Sequence, residues 1–155
     1  MFRQNLLMWK NKSTIIAGLI GLLVLILLNA QFKPVLIGGK IIFVEIADNL
    51  NERAQGLKGR KFLAENKGML FCFEREVYPQ FWMKDTLIPL DIAFISMDNK
   101  IVDIQHMLAF DDKLRYVPKT KVIYALEMNS GWFERNKVDI GDKLFCLNKS
   151  IKEKN

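Results

Sequence analysis

The side chains of this chain that could do chemistry are concentrated between residues 81 and 95. That stretch contains Lys84, Thr86 and Asp91, which supply a cation, a hydroxyl group and a carboxylate close together in sequence. Such a set could bind a polar ligand. Together with a second carboxylate such as Glu127, Asp91 could also act as acid or base in the hydrolysis of a glycosidic bond, provided that burial separates the two pKa values.

Other kinds of catalysis find little support in the sequence. The single histidine, His106, shares a predicted strand face with Val102 and Ile104, which is typical of a core or rim residue rather than a general base. No serine or cysteine lies in a nucleophile signature, and the sequence shows no phosphate-binding glycine loop and no metal-ligand pattern. We therefore assign no catalytic residue, no metal and no cofactor, and we favour a protein that is not an enzyme.

The two carboxylates each allow a structural interpretation beside the functional one. Asp91 could cap a turn around Pro89. Glu127 lies on a predicted strand, and an inward-pointing carboxylate there would need a cationic partner, for which Lys84 or Arg60 is suitable.

Trp82 and Met83 would point to opposite faces if the segment that contains them is a strand. One of the two side chains then packs in the core, and the other faces solvent or a pocket. An exposed tryptophan beside a lysine and an aspartate would suit a sugar ring or a peptide, whereas a buried one would be a core residue. Both interpretations of Trp82 stay open from the sequence.

The first part of the chain has the pattern of a membrane anchor. Residues 13–32 carry no charge and, as a helix, would span about 30 Å, the thickness of the hydrocarbon layer. Arg3, Lys10 and Lys12 precede this segment without an acidic residue, so the positive-inside rule places residues 1–12 in the cytoplasm. The rest of the chain is predicted to be extracytoplasmic, and periplasmic if the cell has an outer membrane.

The alternative is a cleaved signal peptide that comprises residues 1–30, which would make the protein secreted or periplasmic. Leu28 argues against cleavage after Ala30, because a small residue is preferred at position −3, which Leu28 would occupy. We therefore expect a single-pass protein of the cell membrane.

The net charge does not indicate a nucleic-acid-binding protein. The formal charge is +6, but from Lys33 onward there are 20 Lys and Arg against 17 Asp and Glu, a difference of three. No basic run interleaves with stacking aromatics, so we expect no nucleic-acid partner. Cys72 and Cys146 lie in the predicted extracytoplasmic part, where they could form a disulfide or pack as two separate core residues.

The pattern after the anchor predicts a compact, mainly β domain at the border of the α+β class, either a barrel or a two-layer sandwich. Pro34 and the Gly38-Gly39 pair indicate a linker over 33–39, and the folded domain is predicted over 40–148 with a tail at 149–155. About seven strands and two short helices are expected. The strands are 41–47, 68–73, 81–84, 90–97, 101–106, 122–128 and 143–147, and the helices are 50–60 and 130–136.

Several motifs resemble an uncharacterised prokaryotic family, domain of unknown function 192. They are Arg53-x-x-Gly56-Leu57-x-x-Arg60, Gly68-Met-Leu-Phe-x-Phe73, Phe81-Trp-Met-Lys-x-Thr86-x-x-Pro89-Leu-Asp91-Ile-x-Phe94, and Leu126-Glu127 with Gly141-Asp142. The resemblance covers residues 40–147 and implies a compact β-rich fold without an established activity, cofactor or substrate. Lys58 departs from the Gly-Leu-Met that is usual at this turn. The matched polar positions and Met83 become candidate site residues.

These observations predict a membrane-anchored extracytoplasmic domain that binds a small polar ligand, a glycan or a protein partner near residues 82–91. The candidate binding residues are Arg60, Trp82, Met83, Lys84, Thr86, Asp91 and Glu127. The alternatives are an envelope hydrolase that uses Asp91 and Glu127 as acid and base, and a structural partner of a membrane complex, which should expose an apolar patch.

Overall fold

The computed structural model describes residues 31–147 together with residues 16 and 18. Residues 1–31 and 32–155 form two compact units, of which the second is described below. Among the residues described, no helix is long and apolar enough to cross a membrane. The predicted cytoplasmic segment 1–12, most of the anchor 13–32 and the tail 149–155 lie outside the described residues.

Between residues 31 and 147 the chain is mainly β, as the sequence predicts, with seven strands and two short helices. The elements are β1 (Phe32–Ile37), β2 (Lys40–Ala47), α1 (Leu50–Gln55), β3 (Lys67–Val77), β4 (Leu90–Ile95), β5 (Ile101–Met107), β6 (Val122–Asn129), α2 (Trp132–Asn136) and β7 (Leu144–Cys146).

All seven strands belong to one sheet with the order β5-β4-β6-β3-β2-β1-β7. Neighbours are antiparallel except β2 and β3, whose parallel crossover contains α1. The sheet curls so that its two edges meet at one corner, where Ile101 N donates to Asp142 O and Leu144 N donates to Asn99 O, both at 2.9 Å. Because β7 has only three residues, the result is a curled half-barrel and not the closed barrel or sandwich that the sequence predicts.

The predicted linker over 33–39 is wrong, because the chain forms β1 there. β1 pairs with β2 from Phe32 opposite Glu45 to Ile37 opposite Lys40. Gly38 and Gly39 have φ values of +52° and +78°, which suits a tight hairpin turn and not a flexible connection. The folded domain therefore begins before Lys40.

The predicted strand over 81–84 is also wrong. Phe81 forms only an isolated bridge with Tyr116, and the segment around it is a loop packed over the sheet. In the sheet, β6 lies between β3 and β4 and pairs with both of them, so no strand edge is free there to accept another strand. The predicted helix over 50–60 is shorter than expected and ends at Gly56, whose φ is +51°.

The sheet has an apolar cluster on each face. The inner cluster lies inside the half-barrel and includes Val44, Leu70, Leu126 and Trp132. The outer cluster lies beneath α1 and the loops, and contains Met69, Phe71, Met83, Ile92 and Phe94.

Both cysteines pack against the inner cluster and are not joined by a disulfide, so the core-packing interpretation of the sequence is the one observed. Burial raises the pKa of Cys72 to about 12, with a smaller contribution from the nearby Cys146.

Candidate functional site

The register of the sheet places Glu127 in the middle of its outer face. Glu127 lies opposite Met69 on β3 and opposite Ile92 on β4, and directly paired residues point to the same side of a sheet. Both neighbours belong to the outer apolar cluster. As a result the carboxyl-bearing residue is only 6% exposed.

A tight turn at residues 83–86 holds Thr86 against the same face. Thr86 N donates to Met83 O, and Asp85 has a φ of +60°, a conformation that aspartate tolerates better than most residues. The turn is fixed from outside, because Gly59 N donates to Asp85 O and Phe110 N donates to Thr86 O, both at 2.9 Å. Thr86 is thereby buried, with 4% of its surface exposed.

A cleft of about 340 Å³ opens above these two residues. It lies between residues 53–58, the aromatic side chains at 71 and 73 of β3, residues 79–82, Thr86 and Glu127. We call it the Trp82 cleft. Phe71 and Phe81 form part of its apolar wall, with ring centroids 4.9 Å apart in an edge-to-face arrangement.

The Glu127 carboxyl group has no hydrogen-bond or ion-pair partner among the residues that the structure describes. Every completely buried side-chain oxygen or nitrogen in that part of the chain has a partner. Because the Glu127 oxygens have none, they are not completely buried, and they reach the cleft that Glu127 lines. Burial raises the pKa of Glu127 from 4.5 to about 8. At neutral pH it is therefore mainly a carboxylic acid, which can donate one hydrogen bond and accept others.

Three cations lie around the ring of Trp82, and one of them, Lys58, lines the cleft together with Trp82. Lys58 Nζ and Lys84 Nζ each lie 5.5 Å from the ring centroid, and Arg115 Cζ lies 4.8 Å from it. These distances fall within the range of cation–π contacts. Trp82 itself is 40% exposed, so the pocket interpretation of this residue agrees with the structure and the core interpretation does not.

Two predicted site residues serve the packing of the domain instead. Arg60 pairs with Glu45 through its Nη1 and Nη2 atoms, and the hydrogen bond to Glu45 is the main reason why the pKa of Arg60 is raised. Met83 is 1% exposed within the outer cluster. The expectation that Arg60 or Lys84 neutralises Glu127 is therefore wrong, since Arg60 is paired with Glu45 and Lys84 lies over Trp82.

Asp91 lies on the other face of the sheet. It is paired with Met128 and with His106, and its Oδ2 accepts a hydrogen bond of 2.8 Å from Gly131 N. Its Oδ1 is 2.8 Å from His106 Nδ1. Asp91 thus joins β4, β5 and the loop after β6, and its described contacts are not the cap of a turn around Pro89 that the sequence suggested.

This arrangement excludes the two catalytic schemes that the residues suggest. Asp91 and Glu127 point to opposite faces, so they cannot flank one glycosidic bond. Ser130 Oγ is 3.3 Å from His106, but from the same Nδ1 atom that contacts Asp91. A serine–histidine–aspartate triad needs one contact on each ring nitrogen.

Some of these contacts left a signal in the sequence and others did not. The turn at Asp98-Asn99 predicts that β4 and β5 pair, but a register shift between Phe94 and Ile95 sets which residue lies opposite Asp91, so the sequence signal does not extend to the Asp91–His106 pair. No pattern singled out Arg115, which comes from the long polar loop. Within the described residues, no group of three or more histidine, cysteine or carboxylate side chains could hold a metal ion.

A single curled sheet with one polar cleft on its outer face defines a small β half-barrel domain. The model of the family called domain of unknown function 192, described as an uncharacterised ACR, matches residues 34–146, and the chain belongs to this family.

Two crystal structures share the fold. One is of a protein from Sinorhizobium meliloti 1021 described as a candidate transcription regulator, with 32% identity, a TM-score of 0.70, and coverage of 74% of this chain and 93% of that one. The other is of a protein of unknown function from Novosphingobium aromaticivorans DSM 12444, with 29% identity, a TM-score of 0.70, and coverage of 74% and 84%. No curated protein matches the chain.

Proposed function

We propose that this protein is a membrane-anchored extracytoplasmic domain that binds a small polar ligand in the Trp82 cleft. The observation that carries the proposal is the carboxyl group of Glu127, which is buried, lacks a partner among the described residues and faces the cleft. Its oxygens reach the cleft, so a ligand there can accept a hydrogen bond from the carboxylic acid or donate one to it.

Thr86 and Trp82 support the same proposal. The Thr86 hydroxyl also lines the cleft and also lacks a hydrogen-bond partner among the described side chains. Trp82 adds a partly exposed aromatic surface, which suits a sugar ring. The cleft volume of about 340 Å³ lies at the lower end of the range for small-molecule pockets, roughly 300–1,000 Å³, so a small ligand or a short glycan fits it better than a protein surface.

Binding can be tested with the full-length protein in detergent micelles. D-glucose, N-acetylglucosamine, D-glucuronic acid and D-glucose 6-phosphate would serve as probes in saturation-transfer NMR. Trp82→Ala should abolish the transfer, because it removes the stacking surface. Phe62→Ala is the matched control, since Phe62 is an aromatic residue that is 76% exposed and outside the cleft. Equal signals from the two variants, or no signal from any probe, would contradict the proposal.

The anchor and the location rest on the uncharged segment 13–32 and the basic residues before it. Alkaline phosphatase fused after residue 155 should be active in intact cells, because this reporter folds only outside the cytoplasm. A fusion to the same chain without residues 1–32 is the control and should be inactive. Activity of both fusions, or of neither, would contradict the predicted topology.

A structural role in a membrane complex is the second candidate, and one surface favours it. Ile41, Phe43 and Phe145 are 57%, 45% and 44% exposed on neighbouring strands. Leu36 of β1 is paired with Ile41 of β2 on one side and with Phe145 of β7 on the other. Ile41, Phe43 and Phe145 therefore belong to one apolar patch that spans the three strands. A photoreactive residue at position 43 should then crosslink to a membrane protein, whereas one at the exposed Met97 should not.

The geometry argues against two other functions. Hydrolysis with Asp91 and Glu127 as acid and base is incompatible with their positions on opposite faces of the sheet. The regulator description of the Sinorhizobium protein is not carried over, because the cations of the Trp82 cleft surround one ring instead of following a groove that a nucleic acid could occupy.

A further inference from the structure

We infer that the ligand of the Trp82 cleft is a small hydroxylated ring with one anionic group, a carboxylate or a phosphate. The anionic group lies outside, against the cations at Trp82, and an uncharged oxygen of the ring lies inside, against Glu127 and Thr86. This inference rests on the proposed function and adds to it the chemical class and the orientation of the ligand.

The outer end of the cleft has an excess of positive charge. Lys58, Lys84 and Arg115 all lie within 5.5 Å of one ring centroid, and none of them forms an ion pair with a carboxylate among the described residues. Like charges repel one another. An anion that binds beside them would offset that repulsion, which is the electrostatic reason to expect one.

The acidic residues of the surrounding loops do not supply this anion. Asp111 accepts hydrogen bonds from Lys113 N and Leu114 N, each at 3.0 Å, so its carboxylate is turned toward its own loop. Asp85 and Asp112 make no ion pair within 4 Å in the described part of the chain. These carboxylates therefore leave the cations free to contact an anionic group of a ligand.

The inner end of the cleft favours an uncharged group of the ligand. Burial raises the pKa of Glu127 there, and no cation pairs with it among the described residues. Arg53 lines the wall, but its Nη1 donates to Asp48 O at 2.8 Å and to Cys72 O at 2.9 Å. A hydroxyl or ring oxygen can bond to Glu127 and Thr86 without a charge, so the uncharged end of the ligand points inward.

The walls between the two ends fit a ring. Phe71 and Phe81 form an apolar side, and Trp82 also lines the cleft. A sugar ring presents apolar C–H faces and polar edges, so it can contact the aromatic wall and still satisfy both ends. Uronic acids and sugar phosphates share this chemistry.

Titration calorimetry on the full-length protein tests the inference with four probes: D-glucose, D-glucuronic acid, D-glucose 6-phosphate and inorganic phosphate. We expect one of the acidic sugars to bind at least about tenfold more tightly than glucose, since several charge contacts of modest strength add together. The preference between the carboxylate and the phosphate identifies the anionic group. The gain should shrink as salt is added.

Variants separate the two ends of the site. The triple variant Lys58→Gln, Lys84→Gln and Arg115→Gln should lose the preference for the acidic sugar over glucose. Lys113→Gln, on the same loop as Arg115, is the matched control and should keep the preference. Glu127→Ala should weaken glucose and the acidic sugar by the same factor, since it changes only the inner end.

The outcomes distinguish this inference from the function on which it rests. Glucose binding as tightly as the acidic sugars would overturn the inference and leave the proposed function standing. Inorganic phosphate binding as tightly as glucose 6-phosphate, or a random-sequence duplex DNA binding more tightly than either sugar, would show a simple polyanion site and also overturn it. If no sugar binds and Trp82→Ala changes nothing, the proposed function itself fails.

Discussion

The protonation of Glu127 makes a quantitative prediction about stability and pH. Its pKa is about 8 in the folded protein and 4.5 when the group is unperturbed. Between these values the folded state keeps a proton that the unfolded state has lost. This contribution to stability is therefore fully present at low pH and is lost as the pH rises from 4.5 to about 8, because the unfolded state binds fewer protons over that window.

The magnitude follows from the linkage relation. One proton difference corresponds to about 1.4 kcal/mol per pH unit, so wild-type protein should lose about 3 kcal/mol of unfolding free energy between pH 5 and pH 7 through this group. Water in the cleft reduces the figure, which makes it an upper estimate. Glu127→Gln keeps the shape and a hydrogen-bonding amide but cannot ionise, so this loss should be absent.

The assay is urea unfolding of the full-length protein at several pH values from 5 to 8, followed by near-ultraviolet circular dichroism. The difference between Glu127→Gln and wild type should grow with pH in favour of the variant. Glu76→Gln, an exposed carboxyl on β3, controls for the loss of one negative charge. Parallel curves for Glu127→Gln and wild type over the whole range would refute the assignment of Glu127 as a buried neutral acid.

Three further predictions concern the scaffold. Asp91→Ala should destabilise the domain by about 2 kcal/mol in urea unfolding, because it leaves the N–H of Gly131, in the loop after β6, without its acceptor. Sugar affinity should not change; altered affinity with normal stability would place Asp91 in the site instead. Arg60→Met should cost about 1–3 kcal/mol by leaving Glu45 half-buried and unpaired, and adding Glu45→Gln should restore part of it, whereas additive losses would deny the coupling. Gly38→Ala should lower the melting temperature more than Gly39→Ala, since only at Gly38 would a Cβ approach a valine methyl carbon, at 2.8 Å; equal shifts would contradict this geometry.

Local patterns in the sequence were sufficient for much of the secondary structure. Asn49 followed by Glu52 predicts the start of α1, and in the structure Asn49 Oδ1 accepts from Glu52 N while Glu52 Oε2 accepts from Asp48 N. The Asp98-Asn99 pair predicts the β4–β5 hairpin, and Asn99 has the expected positive φ of 63°. These signals are readable because they depend on residues close together in the chain.

The composition of the Trp82 cleft depended on contacts between distant segments. Trp82, Thr86 and Glu127 were candidates from their types, but Arg53, Lys58 and Arg115 join them only through the packing of loops over the sheet. Arg60, like Lys84, was a candidate because it is a cation that could pair with Glu127. In the structure it pairs with Glu45 instead. Residue type does not determine which of two carboxylates a cation reaches.

The sequence by itself determined a mainly β domain, its family and the stretch that holds most of its special residues. Only the tertiary structure decided that Phe32–Ile37 is a strand between β2 and β7, that 81–84 is a loop, and that Asp91 and Glu127 are separated by the sheet. The physical reason is that strand pairing sets both position and side: one residue of register moves a side chain to the opposite face. Residues 81–95 therefore contribute to two environments. One is the Trp82 cleft on the outer face, and the other is the contact of Asp91 with His106 and Gly131 on the inner face.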